Sequence, residues 1–128
     1  MSRRKPYRRS MDGWWRRNPY FVRYMLREGT SVFLFIYALI LLFGLAALGD
    51  GEDAWNGWLA SLGNPVAVLF HLVALTAAIY HTITWFAVAP KAMPPVALGG
   101  KPVPDALIVR GQYAATVVIS LVILVIAL

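Results

Sequence analysis

Three long stretches of this sequence contain no charged residue, and they constrain the fold more than any other feature. They run over residues 29–49, 54–90 and 111–128. Each holds at least 18 residues, enough for a helix rising about 1.5 Å per residue to cross a hydrocarbon core about 30 Å thick. The chain is 59% hydrophobic and 14% charged, so a water-soluble domain of this length could not cover its apolar surface. The sequence therefore predicts an integral membrane protein.

We predict an all-α fold, because lipid offers the backbone amides of a spanning segment no other partner. Pro65 and Pro90 delimit the second span, as expected for a helix that begins after one proline and ends before the next. GDGEDAWNGWLASLGN is expected to be a short loop with Trp55 and Trp58 at the interface, and PKAMPPVALGGKPVPD an irregular turn. The three predicted transmembrane helices lie at about residues 29–49, 66–89 and 107–128.

The basic residues predict the orientation. The first loop contains Asp50, Glu52 and Asp53 and no basic residue, whereas the second contains Lys91 and Lys101. By the positive-inside rule, the N-terminus and the second loop are expected in the cytoplasm, and the first loop and the C-terminus outside. Nine of the twelve Lys and Arg residues precede the first span: Arg3, Arg4, Lys5, Arg8, Arg9, Arg16, Arg17, Arg23 and Arg27.

Residues 1–28 are expected to form a cytoplasmic and interfacial segment of a single domain, 1–128. The run WWRRNPYFVRYML mixes aromatic residues with arginine, which favours anchoring at the lipid headgroups. A docking surface for a cytoplasmic partner is compatible with that anchor, whereas the nearby bilayer disfavours nucleic-acid binding. The long basic region, followed by a full-length span without a small-residue cleavage site, argues against a cleaved signal peptide.

The absence of cysteine excludes several chemistries. The sequence has no Cys, so no iron–sulfur cluster and no thiol reaction can originate in this chain. It also shows no phosphate-binding loop, no cluster of metal ligands and no nucleophile–base pair. If the protein takes part in catalysis, another protein carries most of the chemistry.

The second span contains the two histidines of the chain, His71 and His81. An ionisable group inside a membrane helix is costly and calls for a partner. Small and polar residues sharing one helix face predict contact with another helix rather than with lipid. At about 100° per residue, one sector of about 100° contains His71, Ala74, Ala78, His81, Thr82 and Trp85.

Arg27, Glu28 and His81 are expected to converge on the cytoplasmic side of the bundle. A carboxylate beside a guanidinium and an imidazole could exchange protons with a lipophilic quinone. Alternatively, Glu28 is a border residue that pairs with Arg27 or Arg23 and faces the headgroups, and the pattern alone favours this second interpretation. The residues expected around the convergence are Thr30, Ser31, Thr82, Thr84 and Trp85.

Several stretches together resemble the C subunit of quinol:fumarate reductase, a family of small three-helix membrane anchors. They are RRKPYRR, WW, YMLREGTSV, GEDAW, NPVAVLFHLVAL and HTITWF followed by AP, in matching order over nearly the whole chain. The resemblance implies a multi-pass anchor in the bacterial inner membrane that is not catalytic by itself. It implies a flavoprotein, an iron–sulfur subunit and a second membrane anchor as partners in anaerobic fumarate respiration. FAD and iron–sulfur clusters would lie in the partners, and menaquinol would be oxidised in a shared pocket.

The resemblance also assigns roles to individual residues. Glu28 and Arg27 match the family residues that line the quinone pocket, which reverses the preference for a border role of Glu28. His81 matches a histidine near the quinone and its proton route, with Trp85 beside it. Thr30 and Ser31 are weaker lining candidates.

Two residues depart from the family pattern. Ile83 stands where a lysine is expected, so one hydrogen-bond donor is missing. His71 stands where an uncharged polar residue is expected. The simplest interpretation is a hydrogen bond from His71 to a neighbouring helix, and a second, outer quinone site is an alternative.

His71 also raises the alternative of a haem-b-bearing anchor of a succinate:quinone reductase. His71 and His81 lie about 15 Å apart along one helix, so an axial ligand from the second membrane anchor would be needed. Because the chain resembles the haem-free members, we expect neither haem b nor a covalent cofactor. A small membrane scaffold without a redox role is the alternative from another class, and it predicts no flavoprotein partner.

Overall fold

The computed structural model describes residue 8 and residues 10–128. Its long helices confirm the predicted all-α membrane fold, since α1, α3 and α4 are each long and apolar enough to cross a membrane. Of the N-terminal segment, residues 1–7 and 9 lie outside the described residues. The helices are α1 (Pro19–Asp50), α2 (Glu52–Leu62), α3 (Pro65–Ala92) and α4 (Asp105–Ala127), and a 3-10 turn at Trp14–Arg16 precedes them.

Helix α1 begins ten residues before the predicted span. Asn18 caps it by accepting a hydrogen bond from the Tyr20 N–H at 2.9 Å, and Pro19 occupies the first helical position, which suits its fixed φ. The helix has 32 residues, about 48 Å at 1.5 Å per residue, and so exceeds the hydrocarbon core. Arg27 and Glu28 therefore lie inside a continuous helix rather than at the start of one.

The prediction of a short loop between the first two spans is wrong, because most of this segment forms helix α2. Glu52 and Asp53 occupy its first turn, where acidic side chains interact favourably with the helix dipole. The rings of Trp55 and Trp58 stack with centroids 4.9 Å apart. The Trp58 ring also packs on Gly44 of α1, where a Cβ atom would lie 2.5 Å from it. The predicted loop is thus a short helix fastened to α1.

Helix α3 continues through Pro90 to Ala92, so the prediction that it ends before this proline is wrong. A proline in the last turn of a helix removes one backbone hydrogen bond. The helix stops at the extended residue Met93, which is followed by two further prolines. Helix α3 therefore carries its C-terminal end one turn beyond the predicted span.

The predicted irregular turn contains a small β-hairpin. Strand β1 (Ala97–Leu98) pairs antiparallel with strand β2 (Lys101–Pro102). Gly99 and Gly100 connect the strands with φ of +58° and +77°, values that glycine adopts readily and that a tight two-residue hairpin turn requires.

The helices form an open row with α3 in the middle. Helices α1 and α4 each pack on α3, and they do not pack on each other within the described residues. Among those residues only Gly44, Ala74 and Ala77 are buried. Of the alanines predicted to face another helix, Ala74 is buried and Ala78 is half-buried. Ala77, which is not in the predicted sector, is also buried. Small residues let α1 and α3 approach closely, as is usual in membranes.

Replacing Asn64 with alanine should destabilise the N-terminal end of α3. The Asn64 side chain accepts hydrogen bonds from the Val66 and Ala67 N–H groups at 3.0 Å each, and its amide donates to the Ser61 carbonyl. We expect a loss of about 1 kcal/mol, measured as a lower unfolding temperature of the purified protein. Asn56→Ala in the exposed middle of α2 is the matched control and should leave that temperature unchanged.

Candidate functional site

Arg27 and Glu28 form an ion pair on α1. The Arg27 Nε atom lies 3.2 Å from the Glu28 Oε1 atom, and the two side chains are 13% and 37% exposed. Arg27 is thus largely enclosed by protein, whereas the carboxylate remains accessible. The pairing of Glu28 with Arg27 is compatible with both interpretations of the sequence, a quinone site and a border residue. Arg23, the other partner considered for Glu28, forms no salt bridge with any of the described residues.

Two aromatic rings contact the Arg27 guanidinium. Its Cζ atom lies 4.9 Å from the ring centroid of Trp85 on α3 and 5.3 Å from that of Tyr24 on α1. Such cation–π contacts are stronger where water is excluded. The guanidinium is therefore held by the Glu28 carboxylate and two rings at once, and Trp85 links it to the second helix.

His81 connects α3 to the same turn of α1. Its Nδ1 atom lies 2.9 Å from the Thr30 Oγ1 atom and 3.2 Å from the Arg27 backbone oxygen. The Thr30 hydroxyl in turn donates to that backbone oxygen. The His81 and Trp85 ring centroids are 6.2 Å apart. The structure therefore brings Arg27, Glu28, Thr30, His81 and Trp85 together, and we call these five residues the polar cluster.

The other polar residues expected near the cluster do not bridge the two helices. Ser31 is exposed, and its hydroxyl donates to the Glu28 carbonyl of its own helix. The Thr84 hydroxyl bonds the carbonyls of Tyr80 and His81 within α3. Thr82 is half-buried.

The two departures from the family pattern have different surroundings. Ile83 is 50% exposed, so a lysine there would have room at the surface of this chain. The enclosed His71 Nδ1 atom has no hydrogen-bond partner among the described residues, so the expected bond to a neighbouring helix is not formed by this atom. The Tyr37 ring packs edge-on against the His71 ring at 5.6 Å.

His71 lines a groove between α1 and α3. The groove has a volume of about 390 Å³, and its other walls include Phe33, Tyr37, Ala74 and Ala78. It is almost entirely apolar apart from the imidazole and the phenol. None of the residues in the polar cluster lines it, so His71 and His81 belong to separate sites.

The sequence prediction missed the tyrosines beside the cluster. Tyr24 contacts Arg27, and it also lines a groove of about 440 Å³ with Tyr20, Arg23 and Arg27 on α1 and with Tyr80 and Thr84 on α3. A signal exists in the sequence, because residues 20, 23, 24 and 27 follow the spacing of one helix face. The sequence predicts anchoring at the headgroups for the aromatic residues of this region and does not predict their contact with Arg27.

The polar cluster combines groups that can exchange protons and form hydrogen bonds. The described residues contain no group of three or more His, Asp or Glu side chains that could hold a metal ion. The cluster instead places a carboxylate, a guanidinium and an imidazole on facing turns of two helices. Such groups can exchange protons with a polar ligand and donate hydrogen bonds to it.

Comparison with known proteins gives a consistent assignment over the whole chain. A family model for the C subunit of fumarate reductase matches residues 2–128. The chain is 44% identical over 127 residues to the fumarate reductase C subunit of Vibrio parahaemolyticus, covering 98% of this chain and 99% of the relative. It is 43% identical over 128 residues to that of Klebsiella pneumoniae, covering 99% and 97%. It is 40% identical over 126 residues to that of Photobacterium profundum, covering 98% of each.

The range that the family model matches includes every helix of the bundle. The matches agree with three helices that are long and apolar enough to cross a membrane. The chain belongs to the fumarate reductase C-subunit family of multi-pass membrane anchors, which are components of a multi-subunit oxidoreductase.

Proposed function

We propose that this chain attaches the flavoprotein and iron–sulfur subunits of quinol:fumarate reductase to the bacterial inner membrane. Together with the iron–sulfur subunit and the second membrane anchor, it would form the site at which menaquinol is oxidised. The chain itself would bind and position the quinol and would transfer no electrons. The polar cluster carries this proposal, because its groups match what a quinol needs when it loses protons.

The position of the cluster in the bundle supports the docking arrangement. The N-terminus of α1, the C-terminus of α3 and the hairpin all lie at the same end of the bundle, because successive spans run in opposite directions. This end carries the basic residues that favour the cytoplasm. A quinol bound beside Glu28 would then lie close to the cytoplasmic partners that receive its electrons.

Each member of the cluster has a part in the proposed site. Glu28 accepts or relays a quinol proton through its accessible carboxylate, while Arg27 pairs with that carboxylate and donates a hydrogen bond to a quinone oxygen. His81 supplies a second proton-transfer group. Trp85 holds the Arg27 guanidinium in place, and Thr30 and Ser31 line the site.

Isolation of the assembled complex tests the anchoring role. A tagged chain purified from its native membrane in mild detergent should bring with it a flavoprotein and a partner with iron–sulfur absorption. If the chain purifies alone under conditions that keep other respiratory complexes intact, it is a membrane scaffold and the proposal is wrong.

Glu28→Gln tests the quinol site. The amide keeps the size of the carboxylate but cannot take up a proton at this position. We expect quinol-linked fumarate reduction to fall at least about 10-fold, in line with the contribution of a proton-transfer group. Fumarate reduction by an artificial dye, which bypasses the quinone, should remain unchanged. Glu52→Gln in the first turn of α2 is the matched control, and wild-type quinol turnover in Glu28→Gln would refute the role of Glu28.

A haem-bearing anchor is the second candidate, and the enclosed His71 imidazole favours it. This chain could supply only one axial nitrogen to such a haem, since His81 lies about 15 Å farther along α3. A reduced-minus-oxidised spectrum of the purified complex distinguishes the candidates. A haem b band that disappears in His71→Asn would support the haem-bearing anchor, whereas its absence in the wild type supports the haem-free one.

A further inference from the structure

The proton positions in the polar cluster follow from counting donors and acceptors. Three atoms meet between α1 and α3: the Arg27 backbone oxygen, the Thr30 Oγ1 atom and the His81 Nδ1 atom. The backbone oxygen can only accept hydrogen bonds, and the hydroxyl carries a single hydrogen. The three close contacts among these atoms therefore need a second hydrogen, and the imidazole nitrogen is the only atom that can supply it.

The two neutral tautomers of His81 fit this arrangement differently. With a hydrogen on Nδ1, Thr30 donates to the Arg27 oxygen, and the Nδ1–H group donates to the Thr30 oxygen at 2.9 Å. With a bare Nδ1, Thr30 would have to donate to His81. The Arg27 oxygen would then lack the Thr30 hydrogen and face the lone pair of Nδ1 at 3.2 Å. Since a carbonyl oxygen and a bare ring nitrogen are both acceptors and repel each other at this distance, the arrangement favours the Nδ1–H form.

The other ring nitrogen of His81 is then an acceptor with an open position. His81 is half-buried, and its Nε2 atom is not among the enclosed unpartnered atoms of the described residues, which are His71 Nδ1 and Gln112 Oε1. His71 lacks such a fixed arrangement, because its Nδ1 atom has no partner among those residues to orient it. Of the two histidines, His81 alone has its tautomer set by the described part of the fold.

We propose that Thr30, with the Arg27 backbone oxygen, holds His81 in the Nδ1–H tautomer so that Nε2 accepts a proton from the bound quinol. Thr30 is thus a positioning residue that acts through His81. This inference rests on the proposed quinol site. It specifies which atom of His81 takes part and which neighbour orients it, as a hydrogen bond to the other ring nitrogen does for many functional histidines.

The step balances with the partners already proposed. Oxidation of the quinol breaks two O–H bonds: one proton forms a bond to His81 Nε2, the other goes to the Glu28 carboxylate, and the two electrons would leave for the proposed iron–sulfur partner. The resulting imidazolium keeps both of its Nδ1 acceptors, Thr30 Oγ1 and the Arg27 oxygen. It returns to the neutral form by releasing the same Nε2 proton before the next quinol reacts.

Two substitutions distinguish the effect of the Thr30 hydroxyl from the effect of the side-chain volume. Thr30→Val keeps the volume and loses the hydroxyl, whereas Thr30→Ser keeps the hydroxyl and loses a methyl group. In the purified complex we expect Thr30→Val to lower the kcat of quinol-linked fumarate reduction about 10-fold with KM nearly unchanged. Thr30→Ser should stay within about twofold of the wild type.

The control is Thr116→Val on α4, whose hydroxyl bonds only the Gln112 carbonyl of its own helix. It should leave quinol turnover unchanged. Dye-linked activity of each variant reports whether the complex is assembled. If Thr30→Val does not assemble, Thr30→Ala compared with Thr30→Ser asks the same question.

The outcomes separate this inference from the function on which it rests. Full activity in Thr30→Val, or a larger defect in Thr30→Ser than in Thr30→Val, would show that Thr30 acts by packing and would overturn the inference. If Glu28→Gln still loses quinol turnover in that case, the quinol site itself stands. Wild-type quinol turnover in both Glu28→Gln and His81→Gln would refute the proposed site together with the role of Thr30.

Discussion

Replacing Arg27 with glutamine is expected to lower quinol-linked fumarate reduction at least about 100-fold, as for the loss of a preorganised hydrogen-bond donor, a larger loss than that of Glu28→Gln. The substitution would remove the proposed hydrogen-bond donor to the quinone oxygen and would leave the Glu28 carboxylate without its ion-pair partner. The Glu28 side chain is 37% exposed, so water compensates part of its charge, and most of the expected loss comes from the missing guanidinium donor. Fumarate reduction by a dye should persist, since the flavoprotein is unchanged.

Arg27→Lys is the informative companion variant. Lysine keeps the positive charge but lacks the planar guanidinium that lies over the rings of Trp85 and Tyr24. We expect an intermediate turnover, between that of the wild type and that of Arg27→Gln. The measurement is the ratio of quinol-linked to dye-linked activity in membranes that contain equal amounts of complex.

Arg23→Gln provides the matched control for the charge. Arg23 is exposed on the same helix and forms no salt bridge among the described residues. It should leave the activity ratio near that of the wild type. An equal loss in Arg23→Gln and Arg27→Gln would mean that general positive charge near the membrane is required, and it would contradict the specific role of Arg27.

Gly44→Ala is expected to have the largest effect on stability. A Cβ atom at this position would lie 2.5–2.7 Å from three atoms of the Trp58 ring, so either the ring or the helix that carries it must shift. Overpacking of this kind typically costs about 1–3 kcal/mol. The prediction is a lower unfolding temperature of the purified complex, followed by tryptophan fluorescence.

Gly49→Ala and a double variant make this prediction specific. Gly49 lies in the same helix with nothing within 4 Å of its hypothetical Cβ, so alanine there should be neutral or stabilising by about 0.5–1 kcal/mol. Gly44→Ala combined with Trp58→Phe should recover part of the lost stability, because the smaller ring relieves the clash. An unchanged unfolding temperature in Gly44→Ala would show that Trp58 does not hold α2 against α1.

The positions of the spans could be predicted from the sequence, whereas the helix ends could not. Charge-free stretches mark the parts that lie in lipid, but a helix can extend beyond them, as α1 does from Pro19. Pro90 predicts a helix end, yet in the last turn it costs only one hydrogen bond. Helix α2 is hard to predict because Gly57, the glycines that flank the helix and its acidic residues resemble a loop, although its apolar residues 55, 58, 59 and 62 follow helical spacing.

The composition of the polar cluster could also be predicted, but its contacts could not. The charge pattern and the family resemblance selected Arg27, Glu28 and His81. The partners of His81 depend on how α3 is rotated and shifted against α1, which no local pattern encodes. One of these partners, the Arg27 carbonyl, is a backbone atom that leaves no signal in the sequence. The contact of Tyr24 with the guanidinium depends on rotamers in the same way.

The open row of helices has a consequence for how defects in this protein will be measured. No large side chain is fully buried in the described part of the chain, and α4 packs on only one neighbour. Apolar side chains gain no hydrophobic energy by leaving lipid for protein, so we expect the bundle to gain stability from the other subunits of its complex. By mass action, its apparent stability should rise with the concentration of those partners. Substitutions on the exposed apolar faces are therefore expected to reduce the amount of assembled complex most when the partners are scarce. Overexpression of the partners should restore the amount of complex in these variants.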